Sequence, residues 1–507
     1  MKARTQVLTV AVAVASMTLS GCAAFGPDRK PPQLPSPEHY SVDSQPAQLP
    51  VADGVAQKLE PGTRPLPQWW RAYQSDELNS LVAEGLENSP SLAAAQSTLQ
   101  AAREQLRQQI GDNLFPSVDV SFAPTRQRAL GIPVLPDQQT FLYNVFAAQA
   151  QASYTFDFFG AAFLADRALA GQINQQAFQL EATRRALAAN IVTATINAAA
   201  LHEEVVATEQ LVELGEQRAQ QTAAKYKLGS ATRDEMLAAE QDAANAAATL
   251  PALRAQALAV RHAQAVLIGR TPDTAPEPLP LDALHLPQTV PVSVASDLLH
   301  QRPDILAAEA AVRATADEAG AATAAMFPSL SLSASYGHGG FDWASFTSPE
   351  GKIWSVGATL TQPLFHGGAL LARKRQYQAT YAAAVASYKQ TVLSAFKNVA
   401  DTLVALDEDA NTLVQTQRAE NAARDTSANT ESRYKLGGAP FYATLTAGQQ
   451  YQSAHVQYVR ARAARLADTA ALFDSMGDPP GERQGTKLSQ AADVSRGPTP
   501  ATDAPSK

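Results

Sequence analysis

Two spacings of apolar residues alternate along this chain. In the first, Val118, Val120 and Phe122 interleave with Ser117, Asp119 and Ser121. The same period of two runs through Phe146, Ala148, Ala150, Ala152, Tyr154 and Phe156, set against Gln149, Gln151, Ser153 and Thr155. It returns in Leu330, Leu332, Ala334 and Tyr336 against Ser329, Ser331, Ser333 and Ser335, and in Trp354, Val356, Ala358 and Leu360 against Ser355, Gly357, Thr359 and Thr361. Successive side chains of a strand point to opposite faces, so each run predicts a strand with one apolar and one polar face. Their lengths approach the roughly 9–11 residues of a tilted membrane-spanning strand. A soluble sheet packed on a core explains any one hairpin equally well. Four strands cannot close a barrel, however, and lipid tolerates no open sheet edge. Membrane strands here therefore require several chains to pool them.

The second spacing is helical. Residues 76–111 and 296–326 each predict an opening helix, ended by a Phe-Pro-Ser break because proline cannot continue the hydrogen-bond ladder. Very long helices follow the strands, over 160–228 and 368–435. The first places Leu180, Leu187, Ile191, Ala194, Ala198, Leu201 and Val205 at three-four spacing, with Arg184 interrupting. The second does the same with Val385, Tyr388, Val392, Ala395, Val399, Leu403, Leu406 and Ala410, which is coiled-coil periodicity. Glycine turns end both, and return helices follow over 232–268 and 441–476. Each long helix measures on the order of 100 Å at 1.5 Å per residue, about the length of an opening and a return helix placed end to end. That match predicts a hollow stem.

Strand, helix and turn landmarks also occur twice in the same order. Asn113-Leu114-Phe115-Pro116-Ser117 returns as Ala325-Met326-Phe327-Pro328-Ser329, and Phe158-Phe159-Gly160 as Phe365-His366-Gly367. Tyr226-Lys227-Leu228-Gly229 returns as Tyr434-Lys435-Leu436-Gly437, and Ile268-Gly269 as Met476-Gly477. Offsets between 207 and 212 residues keep the copies in step, so the chain is an internal duplication.

Composition narrows the function. A net charge of −8 with no basic block argues against nucleic acid as a partner. The single cysteine, Cys22, rules out an intramolecular disulfide or a thiolate metal site. Its surroundings explain it: Lys2 and Arg4, an apolar run from Val7 to Leu19 too short to span a bilayer, then Leu19-Ser20-Gly21-Cys22. This order resembles the bacterial lipobox, in which the cysteine is lipidated and becomes the first mature residue; an ordinary secretory signal with an incidental cysteine is the alternative. Ala23 after the cysteine, by the same resemblance, implies the outer membrane. The expected division is a signal peptide over 1–21, a lipidated extended strap over 22–67, a first repeat over 68–269, an inter-repeat linker over 270–295, a second repeat over 296–477 and a disordered tail over 478–507.

Taken together, the lipobox ending at Cys22, Trp69-Trp70 before the first helix, the doubled Phe-Pro-Ser and the doubled Tyr-Lys-Leu-Gly resemble the TolC-like family of outer-membrane efflux proteins, in its lipoprotein branch. The resemblance covers nearly all of the mature chain. It implies a mainly α fold with a small β part: a long α-helical coiled-coil barrel joined to a membrane β-barrel that trimerisation completes, with four strands from each chain. It also implies a homotrimer lipid-anchored in the outer membrane of a Gram-negative bacterium and extending into the periplasm. A periplasmic adaptor (membrane fusion) protein would join it to an inner-membrane pump, of the resistance-nodulation-division type. No cofactor is expected beyond the covalent lipid on Cys22. Two rivals are a structural coiled-coil envelope lipoprotein and the outer-membrane conduit of a type I protein secretion system.

In channels of this kind the helix-hairpin turns close the periplasmic end. Arg233, Asp234 and Glu235 follow the first turn and Arg433 precedes the second, so ion pairs across a ring of chains are the expected gate; charges matching a helix dipole are the alternative reading. Tyr226, Lys227, Leu228 and Gly229, with Tyr434, Lys435, Leu436 and Gly437, are the expected adaptor contacts, because a turn that needs only a helix cap has no use for the same tyrosine and lysine twice. The family often carries an acidic residue where Ala443 stands and a glutamine where Gly448 stands, which puts an acidic constriction on the second hairpin in doubt. Trp343, Trp354, Tyr143 and Tyr336 suit the interfacial aromatics of a barrel. Asp407-Glu408-Asp409 reads as a solvated helix face. The eight histidines have no zinc-type spacing, His338 and His366 read as polar rim residues, and no nucleophile elbow, phosphate loop or dinucleotide fingerprint is present. An enzyme is not expected.

Overall fold

The computed structural model describes residues 25–34, 40, 48–63, 67–130, 140–292 and 295–477. The expected signal peptide, Cys22 and the expected C-terminal tail lie outside the described residues. The elements run β1 (Lys58–Pro61), α1 (Asp76–Asn88), α2 (Pro90–Leu114), β2 (Ser117–Leu130), β3 (Thr140–Phe156), α3 (Ala161–Lys227), α4 (Arg233–Leu267), β4 (Thr289–Val292), α5 (Ala295–Gln301), α6 (Pro303–Ala324), β5 (Ser329–Gly340), α7 (Trp343–Thr347), β6 (Lys352–Thr361), α8 (Ala369–Lys435) and α9 (Phe441–Ser475). Both long helices hold 67 residues and both return helices 35, so the duplication survives in three dimensions. No described helix is long and apolar enough to cross a membrane.

The opening helices differ from the single runs the sequence suggested. Each is broken at a proline: Ser89 before Pro90 adopts extended backbone, and Arg302 precedes Pro303. Proline disfavours helical backbone in the residue before it, yet fits the first turn of the helix it begins. The strands are also longer than expected, reaching Leu130 and Gly340, and α7 lies inside the second loop.

The two repeats are not the two compact units. One unit comprises Met1–Gln33, Leu99–Gln175 and Ala308–Tyr388; the other comprises Leu34–Thr98, Gln176–Ala307 and Lys389–Lys507. Each draws on both halves of the sequence.

The first unit holds the four-stranded antiparallel sheet, ordered β2-β3-β5-β6. Its register aligns Val120, Ala150, Tyr336 and Trp354 in one row across all four strands, and Asp119, Gln151, Ser335 and Ser355 in a row on the opposite face. Alternation within each strand therefore adds up to one apolar and one polar face. Much of the apolar face is bare: Val120 is 83% exposed and Val356 75%. Tyr143 falls on the polar face, where its hydroxyl accepts from Gln127 at 2.6 Å, so it is not an apolar-face aromatic. At the helical ends of the strands, Asp166 on α3 accepts from Gln109 and Asn113 of α2, each at 2.8 Å. Asp317 of α6, 2% exposed, accepts from Arg167 at 2.6 Å and from Arg29 of the strap at 3.0 Å. Such a carboxylate is retained only with its charge matched.

The second unit has its densest packing around Trp69 and Tyr73. Trp69 is 1% exposed and stacks on Phe473 with ring centroids 5.5 Å apart. The Tyr73 hydroxyl donates to the Leu466 carbonyl at 2.7 Å. Here the strap departs from expectation. It contributes β1, which pairs in parallel with β4 of the inter-repeat linker. Neither segment was expected to form sheet. Beside the strand, buried Gln57 accepts from the Nε of fully buried Arg465 at 3.1 Å and donates to Thr469 at 3.3 Å.

Asp409 corrects the reading of residues 407–409 as a solvated face. Asp409 is half-buried, and burial together with the Asp468 carboxyl beside it pushes it up to about 7, with Arg465 opposing the shift. An ordinary aspartate titrates near 3.9. The folded state thus holds this proton more tightly than the unfolded chain, and the associated stability is present below pH ~4 and is lost as pH rises through about 7. Asp409→Asn is expected to melt with wild type near pH 4.5 and to be more stable at pH 8 by about 1 kcal/mol, a value discounted for partial solvent screening. Detergent melts at the two pH values check this; a constant gap would remove the titration from the explanation.

Candidate functional site

The candidate site lies at the two helix-hairpin turns of the second unit and along the helices that lead into them. Helix α3 ends in a glycine cap: Gly229 has φ +77°, its N–H donates to the Tyr226 carbonyl at 2.9 Å, and Ser230 N–H donates to Lys225 at 2.9 Å. Helix α8 ends identically, with Gly437 at φ +75° and Gly438 N–H donating to Arg433 at 2.7 Å. A Cβ would meet nothing within 4 Å at either glycine, so the left-handed backbone alone selects the residue. The cap leaves Leu228 83% and Leu436 87% exposed at the apex of each turn, with Tyr226 and Tyr434 near 40% beneath them. Tyr434 packs its ring 5.3 Å from Phe441. Lys435 pairs with Glu431 at 2.8 Å on an exposed face. The repeated tetrapeptide thus builds two alike, apolar-tipped knuckles.

The charged candidates divide. Glu235 belongs to a capping box: its backbone N–H donates to Thr232 Oγ1 at 3.2 Å, and its carboxylate accepts from the Thr232 N–H at 2.7 Å. Those hydrogen bonds hold it below the usual carboxylate range. Its role within the chain is to start α4. Arg433 bonds across its own turn, Nη2 to the Gly438 carbonyl at 3.3 Å. Arg233 and Asp234 are exposed and, among the described residues, have no ion-pair partner in the chain.

A cluster that sequence reasoning missed joins the two hairpins. Arg218 of α3 donates to the Tyr442 hydroxyl of α9 at 2.8 Å and to Gln449 Oε1 at 3.2 Å, and lies 3.5 Å from Asp242 of α4. Its guanidinium sits 4.9 Å from the Tyr442 ring centroid, and Lys225 approaches the same ring at 5.3 Å. The helices come close here because glycines allow it. A Cβ at Gly448 would meet Leu214 at 3.0 Å, and one at Gly215 would meet Ala243 and Gln449 at 3.4 Å. The departure at Gly448 therefore has a packing cause. One sequence signal pointed to the cluster: Arg218 falls in line with the buried stripe of Glu204, Thr208, Gly215 and Thr222, where an arginine needs partners. Its hydrogen-bond partners Tyr442 and Gln449 sit more than two hundred residues away and left no local trace.

Among the described residues no group of three His, Cys, Asp or Glu side chains converges on a metal-sized site. What the cluster can do is latch one helix pair against the other through polar contacts that a small displacement breaks.

Comparison with known proteins agrees with this architecture. The chain is 28% identical to the pyoverdine export outer membrane protein OpmQ of Pseudomonas aeruginosa, over 81% of this chain and 87% of that protein. It is 27% identical to the probable efflux pump outer membrane protein TtgC of Pseudomonas putida, over 95% and 98%. Among solved structures, the outer-membrane channel OprN superposes with a TM-score of 0.74 at 25% identity, covering 89% of this chain and 99% of that one. The profile of the outer membrane efflux proteins matches residues 81–270 and 294–478, one match to each repeat. With most of its length so matched, and with a sheet and paired long helices of the fold those channels share, this chain belongs to the outer membrane efflux protein family and is an outer-membrane efflux channel.

Proposed function

We propose that three copies of this chain, anchored by a lipid on Cys22 and needing no other cofactor, form the exit duct of a tripartite pump. Each supplies four strands to a twelve-stranded barrel, and the helices of the three chains line a periplasmic conduit. A periplasmic adaptor protein joins the conduit to an inner-membrane pump of the resistance-nodulation-division type. The observation that carries this reading is the four-stranded sheet, whose apolar face is exposed and whose edges β2 and β6 have no partner among the described residues. Backbone polar groups at such edges cannot be left in lipid, and closure by identical copies satisfies them.

OpmQ is a pyoverdine export protein, and a further relative from Pseudomonas putida, 27% identical over 95% of this chain, is a toluene efflux pump outer membrane protein. Small organic molecules are therefore the cargo class we assign, with selection left to the pump. The conduit is passive, and its closed state rests on the Arg218 cluster. Tyr226-Lys227-Leu228-Gly229 and Tyr434-Lys435-Leu436-Gly437 form the knuckles that meet the adaptor. Arg233, Asp234 and Arg433 face neighbouring chains around the closed end.

Single-channel recording of the purified full-length protein in a planar bilayer, with its mass measured in detergent, tests the proposal. A trimer with one lipid mass per chain and a small, flickering conductance is expected. Cys22→Ser is expected to lose the lipid mass and keep the conductance. A monomer that never inserts would leave a structural coiled-coil lipoprotein in its place.

A further inference from the structure

The apolar face of the sheet does not end in neutral residues. Side chains that pair across strands share a face, and so do residues two apart along a strand. By that rule the face carrying Val118, Val120 and Phe122 continues along β2 through Pro124 to Arg126 and Arg128. On β5 and β6 it continues to His338 and Lys352, which pair with each other. Arg126, Arg128 and Lys352 are exposed, and His338 is half-buried. Across the four strands the sole acid is Asp119, on the polar face at the other end.

The position of these cations along the strands is informative. On β3 the apolar face runs from Phe156 to Phe146. Ten residue steps at about 3.4 Å, tilted by about 40°, give roughly 26 Å along the membrane normal. That is the height of the apolar band of an outer-membrane barrel, about 25 Å. Helices adjoin the Phe156 end and loops adjoin the Phe146 end, so on the channel reading the loop end faces the exterior. There the short helix α7 folds back over the apolar face. Phe346 lies 6.0 Å from the ring of Phe122, 6.3 Å from Phe146 and 5.4 Å from Trp343, and its carbonyl is 3.2 Å from His338 Nδ1. A Cβ at Gly340 would collide with the Phe346 backbone, so the contact depends on that glycine. Trp343 is 61% exposed and Asp342 is engaged in capping Ser345. An aromatic shelf thus marks the outer boundary of the apolar band, and the cations stand at and beyond it.

From this geometry we propose that Arg126, Arg128 and Lys352 bind the phosphates of the phosphorylated saccharolipid in the outer leaflet, with its acyl chains against the α7 shelf. Arginine forks match phosphate oxygens in pairs, and the lack of any acid on this face removes competition for them. The inference rests on the channel reading in one further respect. Within one sheet Lys352 lies three strand spacings from β2, about 14 Å away. Closing the ring brings β6 of one copy against β2 of the next, so Lys352 and the two arginines meet at each seam and make three equal sites per trimer.

Native mass spectrometry of the delipidated wild-type protein, titrated with diphosphoryl lipid A or the same lipid dephosphorylated, tests this. The diphosphoryl form is expected to bind at least tenfold more tightly, with up to three bound per trimer. A variant carrying Arg126→Gln, Arg128→Gln and Lys352→Gln is expected to lose about fivefold for each cation removed and to bind both forms alike. Equal binding of the two lipids by wild type, or undiminished preference in the variant, overturns the inference. Insertion into phosphatidylcholine bilayers, recorded on the same preparations, separates the two levels. Wild-type protein that inserts but ignores the phosphates overturns this inference alone, whereas protein that never inserts overturns the channel reading beneath it.

Discussion

Arg218→Ala holds the channel open. In the structure that guanidinium makes two side-chain hydrogen bonds to the second hairpin, at 2.8 and 3.2 Å, and stands over the Tyr442 ring, and on the proposed reading these contacts hold the closed packing. It is about one-fifth exposed, so water replaces these contacts poorly when they break. Hydrogen bonds from a charged donor contribute about 1.5–3 kcal/mol and a cation over an aromatic face about 0.5–2. Taking about 2 kcal/mol of their sum as specific to the closed packing, the open fraction rises roughly thirtyfold. Long, large openings in single-channel records are the expected readout. Tyr442→Phe keeps the ring and removes the hydroxyl, so it should open the channel less. Asp242→Asn should change little, since its pair is 3.5 Å long and the carboxylate is half in solvent. Three variants with wild-type conductance would move the latch elsewhere.

The second large effect falls on stability. Trp69→Ala is expected to cost about 3–5 kcal/mol, because a fully buried indole is replaced by a cavity that surrounding helices cannot fill. The indole stacks on Phe473 of the last helix and meets Tyr73 edge-on at 6.4 Å, so the loss reaches two segments distant in sequence. Trp70→Ala, at the half-buried neighbour, should cost about 1 kcal/mol or less. A detergent melt of each variant decides it: near-equal shifts would mean that the stack contributes little and that the doubled tryptophan serves another purpose.

The local patterns were legible and the long-range ones were not. Period-two alternation identified all four strands of the sheet, since the pleat imposes it residue by residue. The long helices ended within a residue of the glycine turns because a cap is a short-range device. Thr232 and Glu235 form a capping box that the sequence displays openly, yet their charged neighbourhood suggested a gate first. In contrast β1 has four residues, one of them proline, and finds β4 more than two hundred residues away. No periodicity announces such a pair. The same holds for Arg218 with Tyr442, and for Asp409, whose shift comes from burial and from its neighbours Asp468 and Arg465 on another helix. Composition fixed none of these positions, because each depends on which segments meet.

The pairing of β1 with β4 has a consequence for biogenesis. A chain exported from its N-terminus presents Lys58–Pro61 long before Thr289–Val292 has emerged, and the Gln57 side chain waits longer still for Arg465. The strap therefore cannot clasp a growing or truncated chain. Its closure reports that the whole polypeptide has arrived, and a chain cut short after the first repeat keeps a bare strand edge and an unanswered glutamine, features by which periplasmic chaperones and proteases can tell unfinished product from finished.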